Sequence, residues 1–162
     1  MLDFLSEDWG NLASVAGLIF SILAFIFSKR ASVAARQARA AVLRRTIAED
    51  LNTANRTASD VVAYVAMERG DMALLRVSEL LNLTSYSIAR WDDKFSEESK
   101  NNLLSVREQL QSIHDVLAKG AIAELEPKAR LRLKLACQRV SSTYSQEYGT
   151  ATKLTDSDGQ HG

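Results

Sequence analysis

The sequence contains few residues that interrupt helices or link distant parts of a chain. Among its 162 residues there are one proline and seven glycines, so few turns interrupt the chain. Its only cysteine, Cys137, cannot form an internal disulfide, which indicates a reducing compartment for that part of the chain. The two histidines leave little from which to build a metal centre or a Ser-His-Asp triad. We therefore expect no metal site and no cofactor.

The sequence also lacks an excess of either charge. Its 20 basic and 20 acidic side chains give a formal net charge of zero, whereas a general nucleic-acid binder would be clearly basic. Nucleic acid is therefore not an expected partner. Phosphate-binding glycine loops, paired cysteines and Glu-x-x-His sets are missing as well, so an enzyme is the less favoured class. Alanine, leucine, arginine, glutamate and serine dominate instead, a composition that favours helices and predicts an all-α fold.

Residues 9–28 form a long uncharged stretch, which predicts a transmembrane helix. The stretch is WGNLASVAGLIFSILAFIFS; as a helix it is about 30 Å long, which matches the hydrocarbon core of a bilayer. Trp9 lies where an interfacial aromatic residue is expected. A core helix of a soluble protein is the alternative, but such helices seldom stay apolar on every face for about five turns.

The charges on either side of this stretch predict its orientation. Residues 1–8 are a short acidic N-terminus, and basic residues follow the stretch with no acid before Glu49. A cleaved signal peptide has the opposite order, with its basic residues first. By the positive-inside rule, the N-terminus lies outside and the C-terminal body in the cytoplasm, as expected for a single-pass protein of the bacterial inner membrane. Anionic lipid headgroups are expected to bind the basic side chains nearest the bilayer: Lys29, Arg30, Arg36 and Arg39.

A stripe of small residues runs along the first helix and predicts self-association. At alternating steps of four and three, every position is glycine, alanine or serine, while bulky residues occupy the other faces. Helices pair in bilayers where small side chains let their backbones approach, so the expected partner is a second copy. We call this stripe the oligomer seam; it consists of Gly10, Ser14, Gly17, Ser21, Ala24, Ser28, Ala31, Ala35 and Ala38.

Residues 29–149 predict a cytoplasmic antiparallel bundle of four helices. The first helix continues from the membrane until Gly70, which we expect to end it in a left-handed conformation, with Asp71 capping the next helix. Apolar residues at helical spacing predict the buried stripes of the four helices. These are Ala40, Leu43, Ile47, Leu51, Ala54, Ala58, Val61 and Val65; Leu74, Val77, Leu81, Ile88 and Trp91; Leu103, Val106, Leu110, Ile113 and Leu117; and Leu133, Ala136, Val140 and Tyr144.

The remaining helix boundaries follow from capping residues. Ser96 is predicted to cap the third helix. A short helical piece precedes Pro127, which suits the first position of the final helix. That helix is predicted to end near Tyr148, with Gly149 beyond its end and a disordered polar tail of residues 150–162 after it.

One pair of side chains suggests chemistry. Arg107 and His114 are seven residues apart, so both project from one face of the third helix, about 10 Å apart along its axis. This spacing resembles the ribonuclease motif of the HEPN superfamily of helical bundles. The resemblance implies that Arg107 holds phosphate and His114 acts in acid–base chemistry across a dimer. Glu108 adds a charge that repels RNA, and we favour the alternative that Arg107 and His114 simply flank the apolar stripe.

The layout as a whole resembles one group of membrane proteins. A transmembrane helix, an Ala- and Arg-rich continuation (AARQARAAVLRR) and a bundle with an Arg-x6-His spacing are similar to the small membrane accessory proteins of type VI-B CRISPR systems. The resemblance implies a homo-oligomeric ring that permeabilises the inner membrane during antiviral defence, with a defence-system protein as a further partner.

Three functions therefore fit the sequence. The leading hypothesis is a homo-oligomeric, pore-forming membrane effector or accessory protein of antiviral defence. The second is a membrane-tethered module that recruits a cytoplasmic partner, for which Trp91 and Phe95 near a loop would supply an exposed apolar patch. The third is a membrane-bound ribonuclease that uses Arg107 and His114.

Overall fold

Four α-helices make up the part of the chain that the structure describes. The computed structural model describes the backbone of residues 3–159 and the side chains of residues 16–153. Helix accounts for 90% of the structure and no strand occurs among the described residues, so the all-α prediction is confirmed. The helices are α1 (Asp3–Ala66), α2 (Gly70–Arg90), α3 (Glu97–Ala118) and α4 (Pro127–Gly159), with a short 3-10 helix at Ile122–Glu124.

The chain divides into two compact units, Met1–Val42 and Leu43–Gly162, and α1 contributes to both. In the second unit, short connections link helices that run in opposite directions. Trp91, just after α2, donates a hydrogen bond from Nε1 to Asp50 Oδ2 near the start of this part of α1 (3.0 Å). Arg130, near the start of α4, donates to Glu68 Oε1 just after α1 (2.8 Å). These contacts fit the predicted antiparallel bundle.

The core of the second unit contains a buried stripe from each helix. Its positions recur at steps of four and three, which is the repeat of helices whose side chains fit between those of their neighbours. The stripe predicted for α3 is confirmed, and that for α1 is confirmed from Ile47 onward, whereas Ala40 and Leu43 are half-buried. The apolar core residues of α1 and α3 are Ile47, Leu51, Ala54, Ala58, Val61, Val65, Leu103, Val106, Leu110, Ile113 and Leu117.

The buried face of α2 is only partly the predicted one: Val77 and Trp91 are buried as predicted, but other positions differ. The predicted core residues that lie half-buried at its flanks are Leu74, Leu81 and Ile88. The residues buried in their place are Ala73, Leu80, Thr84 and Ser87. Because Ala73 and Ser87 are small, α2 approaches its neighbours closely, and the bulkier side chains fill the space on either side. In the same way Cys137, and not the predicted Ala136, is buried in α4.

Two polar contacts lie inside the core, where their groups satisfy each other. The hydroxyls of Thr84 and Tyr144 share a hydrogen bond of 2.5 Å, and burial raises the pKa of Tyr144 to about 12 although this hydrogen bond opposes the shift. Asn102 on α3 donates from Nδ2 to Glu147 Oε1 on α4 (2.7 Å), and Glu147 is buried. Such pairs favour one alignment of the helices, because a shifted alignment would leave buried polar groups without partners.

The turn after α1 differs from the prediction. Glu68, and not Gly70, has the left-handed conformation (φ 57°), and Gly70 is already the first residue of α2. The Arg69 N–H donates to the Tyr64 carbonyl oxygen (2.9 Å), the wide hydrogen bond that closes a helix end around a left-handed residue. The hydrogen bonds of this turn and the ion pair of Glu68 with Arg130 together offset the cost of that conformation in a non-glycine residue. Asp71 is not the N-cap; it lies in the first turn of α2.

The later boundaries agree with the prediction at two of three places. Ser96 caps α3 by accepting a hydrogen bond from the Ser99 N–H (3.1 Å), and Pro127 begins α4. The predicted end of α4 near Tyr148 is wrong, because the helix continues to Gly159. A single glycine, Gly149, costs about 1 kcal/mol in a helix, and the packing of the following Ala151 against the core outweighs this cost. Of the predicted tail, residues 160–162 lie outside the described part.

Replacing Leu110 with alanine tests the core assignment. Leu110 is fully buried in α3, so we expect Leu110→Ala to lower the free energy of unfolding by about 2–5 kcal/mol through lost burial and a cavity. Leu75 on α2 is 60% exposed, and Leu75→Ala should change that free energy by no more than about 0.5 kcal/mol. Denaturant titration followed by circular dichroism compares the two; equal effects would contradict this packing.

Candidate functional site

The first unit presents an apolar helix that no other part of the described chain covers. Within the described residues, α1 is the one helix long and apolar enough to cross a membrane, and none of its apolar window is buried. Phe20 and Phe25 are each 71% exposed. A core helix of a soluble protein would be buried in its own fold, so this exposure fits lipid as the surrounding medium better than it fits water.

The oligomer seam is exposed wherever its side chains are described. All its residues from Gly17 to Ala38 are exposed, whereas the side chains of Gly10 and Ser14 lie outside the described part. A Cβ added at Gly17 would meet no other atom within 4 Å. The Ser21 hydroxyl donates to the Gly17 carbonyl oxygen (2.8 Å), so it is satisfied within its own helix. The seam therefore has room for a closely packed neighbouring helix. The Ser21 hydroxyl does not need a hydrogen-bond partner from that neighbour.

The side of the helix opposite the seam carries bulky residues and then charged ones. At about 100° per residue, Ile19, Ile22 and Ile26 lie on the side of the helix opposite the seam. Farther along, Lys29 and Arg36 lie opposite the alanines of the seam, and these predicted headgroup ligands, together with Arg30 and Arg39, are all exposed. The seam itself is thus small and uncharged, while the opposite side presents bulk and then positive charge.

The seam register continues into the second unit along an exposed side of α1. In the second unit, the core stripe of α1 contains Ile47 and Leu51. The alternating steps of four and three that define the seam, continued along α1, reach other residues. Arg45 and Glu49 are both exposed and are joined by an ion pair of 2.9 Å between Arg45 Nε and Glu49 Oε1. The exposed positions in this register are Val42, Arg45, Glu49, Arg56, Ser59 and Ala63. The bundle core and the seam therefore use different stripes of one helix.

Arg107 and His114 share one flank of α3 but do not form an assembled site. Arg107 is exposed and makes no hydrogen bond or ion pair with any residue that the structure describes. The His114 side chain is 33% exposed, and its Nδ1 lies 3.7 Å from Asp115 Oδ1, beyond hydrogen-bond distance. Within residues 16–153, no side chain forms a hydrogen bond that would orient the imidazole. The ribonuclease role of this pair stays a prediction that this geometry does not favour.

The apolar patch predicted at Trp91 and Phe95 is absent. Trp91 is only 5% exposed, donates to Asp50, and lies beneath the Arg90 guanidinium, whose central carbon is 4.3 Å from the ring centroid. Phe95 is half-buried and packs against the core. The prediction was wrong because an aromatic residue near a loop closes the end of this bundle. Sequence reasoning missed exposed leucines on α2 and α4: Leu75 (60%), Leu131 (59%) and Leu135 (45%).

The described side chains offer little for redox or metal chemistry. Cys137 is buried in α4, and this burial raises the pKa of its thiol to about 12, so the reactive thiolate is scarce at neutral pH. Among residues 16–153, no three His, Cys, Asp or Glu side chains come together as a metal site requires. The features of the chain that point to function are therefore surfaces.

Comparisons with known proteins add no relative. No protein-family model, no curated protein and no solved structure matches this chain. The proposals below stand on the residues and their geometry.

Proposed function

We propose that this chain is a homo-oligomeric, single-pass membrane protein whose assembly permeabilises the bilayer. The observation that carries the proposal is the exposed apolar helix of the first unit, with the uncovered oligomer seam along one side. Lipid supplies little drive for helix pairing, so association depends on how closely backbones approach. A stripe of glycine, alanine and serine allows the closest approach, and identical copies carry identical stripes.

The flanking charges support one orientation. Lys29, Arg30, Arg36 and Arg39 follow the apolar stretch and are exposed, in positions suited to the headgroups of anionic lipids on the cytoplasmic side. The bundle of the second unit then lies in the cytoplasm. Its buried Cys137 without a disulfide partner suits that reducing compartment.

The composition of the seam suits a narrow polar path through the assembly. Ser14, Ser21 and Ser28 recur every seven residues, so they occupy one position of the repeat through the whole apolar stretch. When several copies meet along their seams, these hydroxyls line the central contact while the isoleucines on the opposite side face lipid. Small side chains and hydroxyls at the centre of a ring would let water and ions pass more readily than a core of leucine.

A role in antiviral defence is the biological setting we propose for such an effector. It is supported by the resemblance in layout to small membrane accessory proteins with a HEPN-like bundle, and it implies a defence-system protein as trigger or partner. In this setting the bundle holds the assembly inactive or passes on the signal, and the apolar helices act on the inner membrane.

A voltage-sensitive dye in bacteria that express the chain tests the proposal. We expect loss of membrane potential with the natural sequence, on expression alone or upon phage infection. Ala24→Leu on the seam should preserve the potential, whereas Ala16→Leu, which is off the seam register, should behave like the natural sequence. Unchanged polarisation with and without phage would contradict the proposed activity.

A further inference from the structure

The exposed sides of α3 and α4 carry opposite charges. On α4, Arg132 and Arg139 are exposed, and their side chains form no hydrogen bond or ion pair with any residue that the structure describes. No acidic residue occurs in α4 between residues 127 and 146. On α3, Glu108 and Asp115 are exposed. This face of the bundle therefore presents cations on one helix and carboxylates on its neighbour, without pairing them internally.

The packing of α3 against α4 shows which of their residues lie at the same height, that is, at the same position along the helix axes. Asn102 on α3 reaches Glu147 on α4, near one end of the pair. Ile113 and Ala136 line the same groove between the two helices, farther along. The two helices are antiparallel. A residue that lies a given number of positions later in α3 is therefore level with a residue that lies the same number of positions earlier in α4. The hydrogen bond between Asn102 and Glu147 sets this correspondence, and the positions of Ile113 and Ala136 in the shared groove are consistent with it.

This alignment brings the opposite charges to matching heights. Arg132 lies about two residues, or about 3 Å, from the height of Asp115. Arg139 lies at the same small offset from the height of Glu108. The two arginines are seven residues apart, and so are the two carboxylates, so both pairs have the same offset.

We propose that the α3–α4 face is the docking surface for a second copy of this chain. The inference rests on the proposed assembly of copies in one membrane, which keeps corresponding residues at the same height. In the docking we propose, a two-fold axis parallel to α3 and α4 sets α3 of each copy against α4 of the other. Arg132 meets Asp115 and Arg139 meets Glu108, and each pair occurs twice. Asp115 also accepts a hydrogen bond from Gln111 (3.2 Å), which orients its carboxylate along α3.

The character of the face favours a second copy over a polyanion. A nucleic acid or an anionic lipid surface would be attracted by Arg132 and Arg139 but repelled by the carboxylates beside them. Leu135 is 45% exposed between the two arginines in sequence, and an aliphatic side chain gains by burial against protein. The groove beside it has apolar residues in its floor, including Ile113, Val116 and Leu133. A self-complementary surface with a partly apolar centre fits this arrangement.

Charge reversal combined with cross-linking tests the inference in the full chain in membranes. Ser112 and Leu135 share the same height correspondence and are exposed, so a copy that carries only Ser112→Cys should be joined by a short bismaleimide to a copy that carries only Leu135→Cys. The natural Cys137 is buried and should not react. Arg132→Glu with Arg139→Glu, present in both copies, should lower the yield about tenfold, and so should Glu108→Arg with Asp115→Arg. A mixed pair, with the arginines reversed in one copy and the carboxylates reversed in the other, should restore the yield, because each reversed helix then faces a helix of opposite charge.

Matched controls separate this face from other surfaces. Arg56→Glu on α1 with Arg69→Glu just after it changes the charge equally at exposed positions outside the face and should leave the yield unchanged. Ser85→Cys on α2 paired with Leu135→Cys should give no product. Equal yields with and without charge reversal, or no recovery in the mixed pair, would overturn the inference. If the particles give either of these results but remain oligomeric, only the docking surface is wrong and the proposed function stands. If the natural chain is monomeric in membranes, the docking surface and the proposed function both fail.

Discussion

Gly17→Leu combined with Ala24→Leu is expected to dissociate the assembly. Both positions lie on the oligomer seam, are exposed, and have no neighbour within their own chain. Leucine there would hold the backbones of two copies apart and remove the dispersion contacts that drive association in lipid. We expect the association constant to fall at least about tenfold, or about 1.4 kcal/mol, per interface. Particle mass in detergent, measured by analytical ultracentrifugation, gives the result directly.

The matched control for this substitution is Ala16→Leu. It makes the same alanine-to-leucine change as Ala24→Leu one residue before Gly17, at a position that is exposed and off the seam register. The control should keep the particle mass of the natural chain, because its new side chain faces lipid. If both variants dissociate, or if the seam variant keeps its full mass, close packing along the seam is not what holds the copies together.

Charges placed within the apolar stretch should prevent membrane insertion. Ile19 and Ile22 are 52% and 51% exposed on the side opposite the seam. An arginine near the bilayer centre costs about 2.5–3.5 kcal/mol, so Ile19→Arg with Ile22→Arg should cost about 5–7 kcal/mol. We expect the variant chain to leave the membrane fraction after an alkaline carbonate wash, or to be degraded.

The corresponding control places the same charges beyond the stretch. Val33→Arg with Val42→Arg changes two exposed valines after residue 28, where basic residues already occur. That variant should remain in the washed membrane pellet. Retention of the Ile19→Arg, Ile22→Arg variant in the pellet at the natural level would mean that this helix is not the part that holds the chain in the membrane.

Much of the fold could be predicted from the spacing of apolar residues. The predicted stripes of α1 and α3 contain the residues that are buried, because in both helices the large or branched apolar side chains recur in one register. In α2 two leucines and an isoleucine lie beside that register, and the helix buries Ala73, Thr84 and Ser87 instead. Hydropathy alone does not show that close approach requires small side chains.

The turns and the helix end show where local signals were insufficient. Gly70 suggested a left-handed stop, but Glu68 takes that conformation two residues earlier because its carboxylate reaches Arg130, which is 62 residues away in the chain. Gly149 suggested an end to α4, but the helix continues because the next turn packs against the core. Contacts between distant residues decide both cases, and sequence spacing does not contain them.

The two candidate surfaces also differ in whether the sequence alone could predict them. The seam could be found from sequence, since it is a periodic pattern on one helix and its described residues are all exposed. The α3–α4 face could not, because it depends on the alignment that the contact between Asn102 and Glu147 establishes. Trp91 illustrates the opposite error, where a large aromatic residue beside a loop suggested a binding patch and instead closes the core.

The most direct measurement is the fractionation and particle mass of the full-length chain. Cells are lysed without detergent, the membranes are washed with carbonate, and the particles are then released with a mild detergent and weighed. The account predicts that the chain stays in the washed pellet and emerges as a particle of several copies. Recovery in the supernatant as a single copy would contradict it.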